Sequence, residues 1–345
     1  MKDIGLHKEI TTGRYLNPFG EYAEKEIIIE ERYDETTGVA SRILPYRVKP
    51  AHKPDTGVYL EKSPASLCPF CPDLFDKITP KFTPDVIPEG KFRHGEARLF
   101  PNAFPYDHSN TVAIFSSRHF MALDELTAEA MRDGFAVCRD YFYRVAEMQQ
   151  GYQYCSINWN YMPPAGGGLI HPHLQTIVGR NPTSFMRRLI ASAQNYAVAT
   201  DGGSLWRNLL VFEQEAGERF IACTGTINWL AAFSPKGMAG EIDFYFKEKT
   251  SFFDLTETNF DELLLGLSRV FLYLYVSNYM SFNLSLYATM TPEKYFWVQG
   301  KIVPRFELNP LGTSDLNYFE KLHDEIICPI VPEQLCRELK VYFQE

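Results

Sequence analysis

The sequence predicts an α+β protein built from two tandem copies of one unit, and three observations carry that prediction. A helix, strand, turn, strand series occurs twice at similar spacing. The strands of both series alternate polar and apolar residues, as half-buried strands do. A chain of 345 residues, 45% of them hydrophobic, buries enough core for two such units.

The first series opens at Asp124-Glu125-Leu126-Thr127, a helix start. Its apolar residues Ala128, Met131, Phe135, Cys138, Phe142 and Val145 then step by three and four, which puts them on one helix face. The strand Ser156-Ile157-Asn158-Trp159-Asn160-Tyr161 follows, then the glycine turn Pro163–Gly168, then the strand Gln175–Arg180. The second series opens at Asp254-Leu255-Thr256 and runs through Phe260, Leu264, Leu267 and Phe271. It continues into the strands Ser281–Leu286 and Gly300–Arg305. A linker is expected between Asn181 and Gly203, which divides the chain into domains 1–190 and 191–345. The copies differ in chemistry. Phe296 and Val298 are expected at the places of His171 and His173, and His323 is the only histidine of the second copy.

Composition excludes several function classes. A net charge of −9 argues against a nucleic-acid-binding surface, which would be basic. No apolar run is long enough to span a bilayer, and Met1-Lys2-Asp3-Ile4-Gly5 lacks the apolar core of a signal peptide. Seven cysteines, an odd and sparse set, fit a reducing cytoplasm better than a disulfide framework. The 26 phenylalanines and 20 tyrosines read as core and sheet filler in so acidic a chain.

Chemistry concentrates at His171-Pro172-His173-Leu174-Gln175. Two histidines two apart on an extended segment point to the same side. The preceding run Gly166-Gly167-Gly168 lets a phosphate approach the backbone closely. This pairing points to attack on phosphorus, to a metal, or to both. Cys68-Pro69-Phe70-Cys71 is a C-x-x-C pair, able to place two sulfurs on one ion or to act as a redox pair. His119, after the strand-like Thr111–Phe115, and His171 are candidates to complete a Cys2His2 set, which would be a closed structural site. A solvated loop histidine is the other reading of His119.

These residues carry a family resemblance. His171-Pro172-His173-Leu174-Gln175 resembles the H-P-H-x-Q signature of the galactose-1-phosphate uridylyltransferases, the transferase branch of the histidine-triad superfamily. The resemblance covers most of the chain. It includes Cys68 and Cys71, the run Arg98–Pro105, Arg118-His119 ahead of an L-x-E-L-T-like helix start, and the strand of Asn160. It implies two tandem histidine-triad-like domains, each an antiparallel sheet flanked by helices, assembled as a homodimer. It also implies zinc held by Cys68, Cys71, His119 and His171, with His173 as nucleophile and Gln175 as its phosphate-holding partner. The implied reaction moves a nucleoside monophosphate from a nucleotide sugar to a sugar 1-phosphate through a nucleotidyl-histidine. Asn160 and the amides of Gly166, Gly167 and Gly168 are candidate phosphate donors. The carbonyl of Leu174 or a neighbour would hold the second ring nitrogen of His173.

Gln175 stands where hydrolytic relatives carry a third histidine. An amide binds a phosphoryl oxygen but does not change protonation near neutral pH, which favours transfer over hydrolysis. Other positions depart from the uridylyltransferase pattern. Asn102-Ala103 replaces Asn-Asp in the segment that receives the nucleoside, which brings the chain closer to ADP-glucose phosphorylases. The K-F-x-V-G-Y-E hexose-phosphate stretch is absent. Gln299-Gly300-Lys301 stands where some uridylyltransferases place a second metal-binding H-x-H pair, so no second metal is expected. Arg47, in Pro45–Lys49, is read as a phosphate contact or a solvated hairpin cation. Two alternatives stay open: an ADP-glucose or dinucleoside-polyphosphate phosphorylase using inorganic phosphate, and a non-catalytic nucleotide-binding protein.

Overall fold

The structure is a computed structural model that describes residues 4–46, 55–105, 107, 109–148, 151–306, 308 and 313–344. Arg47 lies outside the described residues.

Strands β1 (Leu6–Asn17), β2 (Ala23–Asp34) and β3 (Val39–Ile43) form an antiparallel meander, and β14 (Glu325–Cys328) adds to it parallel to β3. The other strands make one ten-stranded antiparallel sheet. The first half supplies β4 (Phe92–His94), β5 (Ala97–Pro101), β6 (Ser109–Ile114), β7 (Tyr154–Tyr161) and β8 (His173–Gly179). The second half supplies β9 (Phe220–Thr224), β10 (Ile227–Ala231), β11 (Ile242–Phe246), β12 (Ser281–Thr289) and β13 (Gln299–Arg305). The order β4-β5-β6-β8-β7-β12-β13-β11-β10-β9 is a five-strand motif written twice, with the copies meeting where β7 pairs with β12.

One face of this sheet carries the main core. Helices α3 (Ala128–Glu147) and α6 (Glu257–Val276) lie across it side by side. Thr127 and Thr256 cap them, each side-chain oxygen accepting from the backbone N–H three residues on, at 3.2 and 3.3 Å. Such caps satisfy N–H groups that a helix start leaves unpaired. Beneath the helices, Ile157 and Trp159 of β7 and Leu284 and Leu286 of β12 are buried in one continuous core. Alternation along β7 and β12 is what puts these residues inward and Asn158, Asn160, Asn283 and Ser285 on the opposite face.

That opposite face is covered differently in the two halves. Over the first half lies the short helix α2 (Pro72–Ile78), with Phe70 and Phe75 packed on Phe100, Val112 and Ile114, while Tyr59 and Leu60 of the short α1 (Gly57–Lys62) pack against the main core. Over the second half lie α4 (Ser184–Ala199) and α5 (Leu205–Ala216), whose Met186, Leu189, Leu209 and Leu210 pack with Tyr245 and Trp297. The segment expected as a linker is therefore largely helix α4, capped by Thr183 and carrying buried residues at 186, 189, 190, 193 and 197. The boundary at residue 190 falls inside that helix.

The N-terminal meander packs on the second half. Arg32 donates two hydrogen bonds to Glu333, at 2.9 and 2.8 Å, and one to the Phe233 carbonyl. Glu333 belongs to α8 (Pro332–Lys340) and also receives Arg219 at 2.9 Å. The short α7 (Tyr318–Leu322) precedes β14.

Register corrects one expectation. With the tight hairpins at Gly95-Glu96 and Gly225-Thr226 superposed, the ladders can be followed strand by strand. They place Gln299 at His173 and Lys301 at Gln175. Trp297, not Phe296, then stands for His171, and Val298 faces the helical core. A one-residue slip exchanges the two faces of a strand, and matching the strands by sequence alone makes that slip. Among the described residues, no helix is long and apolar enough to cross a membrane, and all seven cysteines are free thiols.

Candidate active site and metal centre

Four side chains converge at one end of the first half. The ligand atoms of Cys68, Cys71, His119 and His171 all lie within 4.8 Å of one another. Sγ of Cys68 is 3.8 Å from Nδ1 of His171, and Sγ of Cys71 is 3.2 Å from Nδ1 of His119 and 3.7 Å from Nδ1 of His171. A tetrahedral ion with ordinary zinc–sulfur and zinc–nitrogen bonds separates sulfur from nitrogen by about 3.6 Å, so this donor set fits one ion. Both imidazoles turn Nδ1 inward. Their outer nitrogens meet backbone carbonyls, Nε2 of His119 at Ser63 (2.6 Å) and Nε2 of His171 at Ser116 (3.0 Å). Those carbonyls accept the Nε2 protons and so leave Nδ1 as the free lone pair, an arrangement typical of metal-bound histidine. Burial, with Cys68 alongside, pushes the Cys71 thiol up to about 11. Two buried thiolates are unfavourable together until a cation joins them. The four residues can hold a metal ion as a closed Cys2His2 site.

The cluster sits beside β8. His171 is fully buried at its entrance, and His173, two residues on, is partly exposed on the open face of the sheet. Nδ1 of His173 donates to the carbonyl of His171 at 2.8 Å. The acceptor is thus His171 itself, where Leu174 or a neighbour was expected. This bond fixes the tautomer and leaves the Nε2 lone pair outward. Burial lowers the His173 imidazole from its ordinary value, which keeps the ring neutral and nucleophilic at pH 7. Phe70, from the C-x-x-C loop, sets its ring edge against His173 at 5.3 Å and His171 at 5.9 Å. The loop that carries Cys68 and Cys71 therefore also buttresses the nucleophile candidate.

Gln175 shares the face of His173 and lies opposite Val112 on one side and Asn158 on the other. Asn158 donates to Ser156 (2.9 Å) and to the Gln175 carbonyl (3.3 Å), and accepts from Ser285 of the second half (2.8 Å). Asn160 accepts from Asn283, also of the second half, at 2.7 Å.

The glycine turn divides its labour. Gly166 adopts φ +83°, a left-handed conformation that suits glycine, and its N–H donates to Pro163. Gly167 donates to Met162, and a Cβ there would lie 2.7 Å from the Asn160 carbonyl. These two amides hold the turn together. A Cβ on Gly168 would meet nothing within 4 Å, so that residue is where the turn opens. Met162 stands at φ 67°, ψ 159°, a region costly for any side chain.

Asn102 follows β5 and braces its own loop. Nδ2 donates to Asn110 at 2.7 Å, and Oδ1 accepts from the Phe104 N–H at 3.0 Å. Ala103 and Phe104 are exposed at the tip. The structure therefore brings together Cys68, Cys71, His119, His171 and His173, sets Gln175, Asn160 and the glycine turn beside them, and places Asn102 at the far end of β6. Sequence reasoning missed Phe70, although it lies inside the C-x-x-C motif. It also missed Asn283, whose role depends on a pairing between distant strands.

No family model matches the sequence. An uncharacterised protein of Archaeoglobus fulgidus is 28% identical over 326 residues, 93% of this chain and 94% of that protein. Among solved structures, an ADP-glucose phosphorylase from Arabidopsis thaliana with bound ADP-glucose matches with a TM-score of 0.66 at 16% identity, over 90% of this chain and 98% of that one. A uridylyltransferase matches with a TM-score of 0.66 at 18% identity, over 91% and 98%. The chain is thus uridylyltransferase-like in fold: its duplicated sheet is the architecture of the uridylyltransferase and ADP-glucose phosphorylase structures.

Proposed function

We propose that the chain is a nucleotidyltransferase that carries a nucleoside monophosphate on His173. Nε2 of the neutral ring attacks the α-phosphorus of a nucleotide sugar. A nitrogen–phosphorus bond forms, the phosphoanhydride bond breaks, and the sugar 1-phosphate leaves with its electron pair. An oxygen of the acceptor phosphate then attacks the same phosphorus, and the electron pair of the nitrogen–phosphorus bond returns to Nε2. Splitting one displacement in two lets a single site serve both substrates in turn. Charge on the reacting phosphoryl oxygens is met by donors fixed in advance, which is where such catalysis gains most. Gln175, Asn160 and the N–H of Gly168 are the donors we assign. Arg47 remains a candidate phosphate contact by resemblance alone.

The reading rests chiefly on the Nδ1–H of His173 held by the His171 carbonyl, which leaves Nε2 as a lone pair on the open face. Cys68, Cys71, His119 and His171 would hold zinc, whose contribution is to tie the C-x-x-C loop to the strand that aims His173. The acceptor is a hexose 1-phosphate in the uridylyltransferase reading. Asn102-Ala103, which departs from the Asn-Asp of the uridylyltransferase pattern and resembles that of ADP-glucose phosphorylases, favours the alternative of ADP-glucose as donor and inorganic phosphate as acceptor. We expect the assembly to be a homodimer.

Incubation with labelled UDP-glucose and, separately, ADP-glucose tests this. The expected outcome is an acid-labile adduct on the wild type with one donor, none on His173→Ala, and discharge by either galactose 1-phosphate or phosphate. No adduct with either donor would leave the non-catalytic nucleotide-binding reading in its place.

A further inference from the structure

The second half has lost both histidines of the strand pair, yet it reaches the site through a chain of polar side chains that neither the motif nor the duplication foretells. Asp315 is almost fully buried and binds Arg305, accepting from Nε at 3.0 and 2.8 Å and from Nη2. The Phe306 N–H also donates to it at 2.9 Å. Arg305 Nη1 donates to Oδ1 of Asn283 at 2.9 Å. Nδ2 of Asn283 donates to Oδ1 of Asn160 and to the carbonyl of Ala165, both at 2.7 Å. Asn160 and Asn283 are direct partners across the β7–β12 seam.

The direction of this chain is set at one end. A guanidinium has donors only, so whatever Arg305 binds must accept. Asn283 must turn its oxygen to Arg305 and therefore its amide nitrogen away. That nitrogen spends its two protons on Asn160 and on the glycine turn. Asn160 must in turn offer its oxygen to Asn283, and its own Nδ2 is left facing the open side. An asparagine with no such constraint presents either end to an anion. We infer that Arg305, Asn283 and Asp315 are positioning residues: they fix the amide of Asn160 with its N–H donors toward the phosphoryl oxygens and tie down the turn of Gly166–Gly168. This rests on the proposed transfer through His173 and gives the degenerate half its part in it.

The test uses the full chain and follows the single-turnover rate of adduct formation, together with zinc content and melting temperature. Loss of one fixed donor to a charged oxygen is worth about 10- to 100-fold in rate. Arg305→Ala is expected to slow the adduct by that factor while zinc content stays at the wild-type level, and Arg305→Lys, again donor-only, is expected to recover most of the rate. Asn283→Asp keeps the shape and the arginine contact but donates to neither Asn160 nor Ala165, and it is expected to be at least as slow as Asn283→Ala. A purely structural chain would lower the melting temperature and leave the rate per folded molecule unchanged. That result, or a fast Asn283→Asp enzyme, would overturn the inference while the wild-type adduct still upheld the transfer. A wild type that forms no adduct would remove both.

Discussion

The two halves of the sheet carry the same five-strand motif and use its open face in opposite ways. In the first half, His173 and Gln175 stand on β8 in a partly exposed row, buttressed by a loop that four metal-type ligands anchor. At the corresponding places of the second half stand Gln299 and Lys301, both buried. Nζ of Lys301 donates to Glu241 and, at 2.8 Å, to Asp243, with α4 closed over the face. Burial alone favours a neutral lysine, but the charges of Asp243 and Glu241 outweigh it and hold Lys301 well above the usual lysine range. Burial pushes Asp243 well up against the pull of Lys301, while Glu241, against its own burial, is held below the usual carboxylate range by Lys301 and the hydrogen bond from Asp243. The lesson is that a duplicated scaffold keeps its ladder register while the helices laid over it decide which copy keeps an open face.

Breaking the first half should have the largest effect. Cys68→Ser removes one ligand of the cluster. Structural zinc contributes on the order of 10 kcal/mol in small domains, and loss of a ligand should forfeit at least about 3 kcal/mol of it. Metal analysis is expected to show substoichiometric zinc, with adduct formation lost alongside. Stoichiometric zinc at unchanged affinity would sink the four-ligand assignment.

Breaking the buried ion trio of the second half should destabilise the protein without touching the chemistry. Lys301→Met leaves Glu241 and Asp243 facing each other in the interior. Removing one member of a buried ion cluster costs about 3–5 kcal/mol, which a denaturant titration would read. The adduct rate per folded molecule should stay at the wild-type value, and a rate loss there would show that the second face is not merely structural.

The smallest contrast lies within the glycine turn. Gly167→Ala drives a methyl against the Asn160 carbonyl and should slow the adduct measurably, at a stability cost of about 1–3 kcal/mol. Gly168→Ala meets no protein atom within 4 Å and should leave stability unchanged. Equal effects at the two positions would mean that the turn does not hold Asn160.

How much of this could be read beforehand follows from the range of each interaction. The helices α3 and α6 and the strands β7, β8, β12 and β13 were legible because each has its own period and its own start signal. The four-ligand cluster was legible by resemblance, since cysteine and histidine are rare enough to stand out. The meander β1–β3 was not foreseen: most of β1 is exposed and much of it is charged or polar, so its alternation carries no hydrophobic signal. Helix α4 was passed over although its apolar residues recur at helical spacing, because Asn181-Pro182-Thr183-Ser184 reads as a loop. Those residues turn out to lead into the N-cap. The exchange of Gln299 for Val298 came from loop lengths that differ between the copies. The path from Asp315 to Asn160 had no local signature, since its bonds span up to 123 residues.

The central claim is that His173 carries the transferred nucleotide and that the second half carries none. Peptide mapping of the labelled protein, quenched under alkaline conditions that preserve phosphoramidates, tests it most directly. All label should fall on the segment containing His171 and His173, and should vanish in His173→Ala while persisting in Lys301→Met. Label on any other segment, or label that survives His173→Ala, would contradict the account.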